Sequence, residues 1–83
     1  MIKFLEAHDG TLYSFDSIEY IKIKPVSGST TLSVVNIYET NKNMHTLIGP
    51  IPNASATFAM GQIKMFLNAN VLAVLPYNTL IAP

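Results

Sequence analysis

The sequence predicts an α+β domain: a curled antiparallel sheet of about five strands, one helix packed on it, then a final buried strand and an extended tail. Three observations carry that expectation. Up to Ile48 the chain alternates short β-branched and aromatic runs with turn signals. From about residue 54 the apolar residues recur at helical spacing instead. Between the two lies Gly49-Pro50-Ile51-Pro52, whose prolines interrupt a ladder and set up a new element.

The elements follow in order. Ile2 to Ala7 reads as a short strand, and Asp9-Gly10 as a hairpin turn, because glycine and aspartate tolerate the positive φ of tight turns. Leu12 to Phe15 returns, and Asp16-Ser17 makes a corner. Ile18 to Lys24 is the third strand, closed by Pro25, which has no N–H to donate. After the Ser27-Gly28-Ser29 loop, Thr31 to Tyr38 is the strand richest in β-formers. Thr40-Asn41-Lys42-Asn43 turns the chain into a fifth strand, Met44 to Ile48.

Asn53 or Ser55 is suited to cap the helix, predicted over about residues 54–68. Ala56, Ala59, Met60, Ile63, Phe66 and Leu67 form its apolar stripe. Asn68-Ala69-Asn70 is a stop signal. Val71 to Leu75 is a continuous apolar run, suited to a strand buried on both faces, and Pro76 ends it. Tyr77 to Pro83 is the apolar tail. The order is β-β-β-β-β-α-β in a single domain spanning residues 1–83.

Charge is distributed unevenly. All five acidic residues fall within the first 39 positions, and Lys64 is the single formal charge from Asn43 onward. The whole chain is 12% charged and 49% hydrophobic, against about a quarter charged in an ordinary soluble domain. A surface so short of charge needs cover. Disulfides and thiolate metal sites are excluded by the absence of cysteine, and a net charge of zero removes long-range repulsion between copies. The composition therefore points to a homo-oligomer, at least a dimer. No secretory signal and no stretch of ~18–20 apolar residues is present, so the sequence predicts a soluble, cytoplasmic chain with no membrane partner.

The predicted helix has a second apolar side. Phe58 and Met65 lie almost opposite the stripe, with Gly61 between them. Glycine inside a helix costs roughly 1 kcal/mol relative to alanine, so a closely approaching neighbour is one reason to find it there. The expected oligomer interface is Phe58, Gly61, Met65 and the tail residues Tyr77, Leu80 and Ile81. The alternative is a helix sandwiched between its own sheet and its own tail.

Chemistry-bearing patterns are few. His8 neighbours Asp9 in a turn, and His45 lies in a strand near Glu39, but no second histidine stands at ligand spacing, and ordinary surface roles are favoured. No serine lies in a nucleophile-elbow pattern. The Ser27-Gly28-Ser29-Thr30 segment lacks the helix and lysine of a phosphate cradle. The free amides at Pro52-Asn53-Ala54-Ser55 suit an anion, although capping is the simpler account. No catalytic residue, metal site or cofactor is predicted.

Tyr20, Lys22 and Lys24 share one face of the third strand. With Tyr13 they form a possible single-stranded nucleic-acid face, set against an ordinary solvated face that gives the same alternation. The absence of arginine and of net positive charge disfavours nucleic acid. The sequence thus predicts a small non-enzymatic binding or assembly protein whose first partner is itself, with another protein as a further partner. Its size suits an accessory protein of a phage or mobile element. The two alternatives are a single-stranded nucleic-acid binder and a small-ligand binder, with a pocket at the subunit seam lined by asparagine and tyrosine.

Overall fold

The computed structural model describes residues 3–68 and 73–81. Among the described residues six strands and one helix occur in the order β1 (Phe4–Glu6), β2 (Leu12–Ser14), β3 (Ile18–Pro25), β4 (Leu32–Glu39), β5 (Met44–Pro52), α1 (Asn53–Asn68) and β6 (Val74–Leu75). Short 3-10 turns occupy Phe15–Ser17 and Tyr77–Thr79. The α+β class is as the sequence predicts.

The single five-stranded sheet is not what forms. The strands divide into two three-stranded sheets, ordered β2-β1-β6 and β3-β4-β5. The cause lies at Phe15-Asp16-Ser17. There Ser14 Oγ accepts from the Asp16 N–H, and a 3-10 turn redirects the chain instead of letting β2 pair with β3. The two sheets still meet, because the His8 N–H donates to the Leu47 carbonyl of β5 at 3.0 Å.

The first sheet is mixed. β1 pairs antiparallel with β2 through the Asp9-Gly10 turn and parallel with β6, which returns from the far end of the chain. Ile2, Val71 and Leu72 lie outside the described residues. The described part of the last strand is Val74–Leu75, at the edge of its sheet, with Leu75 buried and Val74 half-buried. The tail is not extended: Thr79 and Leu80 donate to the Pro76 and Tyr77 carbonyls and wind it into a turn.

The second sheet is a regular meander. β5 continues to Pro52, four residues past the predicted end, although Pro50 follows Gly49 through a cis peptide bond. Ser33 pairs with Ile51 and Leu32 with Pro52, with irregular register around Val35. Gly49 is required here. Its φ is +122°, and a Cβ on it would stand 2.9 Å from both the Ser33 carbonyl oxygen and the Val34 Cα. The prolines therefore end the ladder later than expected, because Ile51 between them stays in register with Ser33 of β4 and a glycine lets the two backbones close up.

α1 follows β5 without a break and lies across the second sheet. Its buried residues are Ala56, Ala59, Ile63 and Phe66; Met60 is partly buried and Leu67 stays largely exposed. The two alanines keep the helix close to β4 and β5 while Ile63 and Phe66 supply volume, each full burial being worth about 1.5–3 kcal/mol. The start of the helix is tied to β4. Ser33 Oγ donates to Asn53 Oδ1 at 2.6 Å, and Asn53 Nδ2 donates to the Thr30 carbonyl. Asn53 thus joins α1 to the β3–β4 loop. Leu5, Val35, Ile37, Leu47, Ile48, Leu75 and Leu80 complete one continuous core shared by both sheets, the helix and the tail.

Candidate interaction surfaces

The outer side of α1 is the clearest surface feature. Ala54, Phe58, Gly61, Met65 and Asn68 are all exposed. Their steps alternate four and three residues, the spacing that forms a straight seam along a helix. None of them is charged. Phe58 is 36% exposed and Met65 is 69% exposed. A Cβ on Gly61 would meet nothing within 4 Å, so nothing inside the described chain accounts for the glycine.

The structure divides the rest of the predicted interface. Ile81 is exposed, whereas Leu80 is fully buried in its own chain and Tyr77 packs against the core. Tyr77 is also held from below, its N–H donating to Glu6 Oε1 at 2.8 Å. Leu80 and Tyr77 therefore close the monomer's core. Of the predicted set, Phe58, Gly61, Met65 and Ile81 face outward.

Two hollows flank the helix. One, of about 210 Å³, is lined by Ile48, Ile51, Pro52, Ser55, Tyr77, Leu80 and Ile81. The other is a groove of about 270 Å³ between β3 and α1. Its floor is Phe15, Ile18, Ile21 and Ile63, its helix wall Met60 and Leu67, and its rim Glu19, Tyr20 and Lys64. The groove exists because the small alanines draw α1 toward β4 and β5 and leave the β3 side less covered. Both hollows are mainly apolar; Tyr20 borders one and Tyr77 the other, and asparagine lines neither.

The outer face of the second sheet carries the predicted tyrosine–lysine group in altered form. Tyr20 and Tyr38, a cross-strand pair, stack with ring centroids 4.5 Å apart and planes 14° from parallel. Met44 pairs opposite Tyr38 and is half-exposed. Lys22 and Lys24 follow Tyr20 on the same face, and Asn36 opposite Lys22 is buried, accepting from Thr46 Oγ1. Tyr38 was not singled out from the sequence; the cross-strand register was needed to find it.

Tyr13 does not join that group. Its ring lies 4.9 Å from that of His45, which pairs with Ile37 on the core side of the sheet. His45 Nε2 is 2.5 Å from Glu39 Oε1, so the predicted proximity of these two residues is real and partly buried. Burial, together with the charges of Asp9 and Glu39, holds the Tyr13 phenol above its ordinary pKa of 10.0. Asp9 itself is held below its ordinary value by the Thr11 N–H, which donates to its carboxylate at 3.0 Å. His8 is exposed in the turn. Among the described residues no group of three histidine or acidic side chains could hold a metal ion, and no helix is long and apolar enough to cross a membrane.

No protein-family model matches the chain, and comparison with curated proteins and with solved structures gives no significant match.

Proposed function

We propose that this protein is a small non-enzymatic assembly module that associates with copies of itself through the outer face of α1. The observation that carries this reading is the uncharged seam Ala54, Phe58, Gly61, Met65 and Asn68, with two large apolar side chains exposed on it. The seam is self-complementary. In an antiparallel pair of helices about a two-fold axis near Gly61, Phe58 of one chain meets the partner's Met65. Such a sulfur–aromatic contact is worth ~0.3–1.5 kcal/mol. Gly61 sits at the crossing, where a missing side chain allows the closest approach.

A stable dimer buries about 800 Å² per chain, of which one helix face supplies only part. Ile81 extends the contact: it lines the same hollow as Ser55 of α1, beside the N-terminal half of the helix.

The decisive experiment is Gly61→Ala. The added methyl meets open space within the chain, so it should raise helix stability by up to about 1 kcal/mol. It should also weaken self-association, as seen by light scattering across a dilution series. Phe58→Glu should abolish association. A monomer at micromolar concentration in the unsubstituted protein, or assembly that survives Phe58→Glu, removes the helix from the interface.

A second reading, single-stranded nucleic-acid binding, is favoured by the stacked Tyr20–Tyr38 pair beside Lys22 and Lys24. It predicts retention of an oligonucleotide at low salt and steep loss with added salt. No retention at low salt ends it.

A further inference from the structure

We propose that the groove between β3 and α1 receives an extended segment of a partner protein, alternating apolar and acidic residues, which adds to the sheet as a strand beside β3. The first observation is the edge itself. β3 runs eight residues, Ile18–Pro25, and among the described residues no strand pairs with its outer side. Such an edge presents a row of backbone donors and acceptors to an incoming chain. Pro25 and the irregular register at Ile18–Tyr20 limit the regular part to Tyr20–Lys24.

The second observation is what borders that edge. On the core side lies the apolar groove floored by Ile18, Ile21 and Ile63, with Met60 and Leu67 above it. A strand's side chains alternate between faces. Every second residue of an added strand would therefore enter the groove, and the intervening residues would lie beside Lys22 and Lys24. An apolar set is wanted on one face and a different set on the other.

Charge decides the second set. Lys22, Lys24 and, at the groove's rim, Lys64 have no ion-pair partner among the described residues, whereas Glu19 is engaged by Lys42 at 3.4 Å. Acidic side chains opposite lysines stabilise a cross-strand pair, and like charges destabilise it. Pairing β3 with the β3 of a second copy would bring two lysines from each chain onto one face. The lysines thus select against self-pairing at this edge and in favour of an acidic partner. This site uses other residues of α1 than the uncharged seam does, and it does not require self-association.

The test uses the full chain and two synthetic peptides, one alternating valine with glutamate and one alternating valine with lysine. Binding is read by fluorescence anisotropy and mapped by amide and methyl chemical shifts. The glutamate peptide should bind, shifting the amides of Tyr20–Lys24 and the Met60 methyl, while the lysine peptide should bind at least tenfold more weakly. Lys22→Glu with Lys24→Glu, at exposed positions, should reverse the preference between the two peptides. Equal binding of both peptides, no binding of either, or shifts confined to the Phe58–Met65 face overturns the proposal. So does an oligothymidylate that displaces the glutamate peptide and binds the same lysines more tightly.

Discussion

The ammonium of Lys3 closes the C-terminal end of α1. Its Nζ donates to the Phe66 carbonyl at 2.8 Å and to the Leu67 carbonyl at 3.2 Å, and stands 5.1 Å from the centre of the Phe66 ring. Phe66 and Leu67, more than sixty positions from Lys3 in the chain, thus share its cation, which sits at the negative end of the helix dipole. Replacing Lys3 with methionine keeps the stem and removes the donor. The expected cost is about 1–2 kcal/mol, read from urea unfolding. An unchanged midpoint would show that water serves these carbonyls equally well.

Glu6 plays the matching part for the tail. Its Oε1 accepts the Tyr77 N–H at the point where the chain winds into the turn that seats Leu80 in the core. Glu6→Gln retains an acceptor oxygen and should cost less than about 1 kcal/mol. Glu6→Ala leaves the amide unpaired and should cost about 1–3 kcal/mol. Amide exchange at Tyr77 should accelerate in the alanine variant; equal exchange in both variants would refute the anchor.

Gly49→Ala should be among the most damaging single changes. Positive φ disfavours any side chain, and the new methyl would press on the Ser33 carbonyl and the Val34 Cα, both backbone atoms that move only with β4. A loss of about 2–3 kcal/mol is expected from strain of this kind. Thermal unfolding of the variant checks it, and a loss under about 0.5 kcal/mol would mean that β4 and β5 separate readily there.

Tyr13 gives a pH dependence with a definite sign. Its folded pKa lies above 10.0, chiefly through burial and then through Asp9 and Glu39. A group with a raised folded pKa stabilises the fold fully below its unfolded pKa and loses that contribution as pH rises through the folded value. Stability should therefore be level with respect to this group up to about pH 10 and fall above it. Tyr13→Phe should flatten part of the alkaline fall. The difference between the ultraviolet titrations of wild type and variant should isolate a phenol that ionises above 10.0; a difference curve centred at or below 10.0 defeats the account.

Much of the local structure was legible from spacing. The β3, β4 and β5 strands, the Asp9-Gly10 hairpin and α1 fall close to where periodicity and turn chemistry put them, because each is set by neighbours a few residues away. The apolar residues of the α1 stripe also point inward as expected, with Leu67 left at the open groove. The outward position of Phe58, Gly61 and Met65 follows from the same 100° step.

Tertiary structure alone decided the pairing of strands. No local pattern records that β6 comes back beside β1, that Phe15–Ser17 splits the strands into two sheets, or that β5 runs through two prolines beside β4. Nor does one show that Leu80 fills the core while Ile81, next to it, faces out. Those outcomes depend on contacts between residues far apart in the chain: Lys3 with Phe66, Glu6 with Tyr77, Ser33 with Asn53. The sequence determined where charge is missing and which helix face is apolar on both sides. Only packing decided how much of that apolar surface the chain covers itself, leaving Phe58, Gly61, Met65 and the β3 groove uncovered.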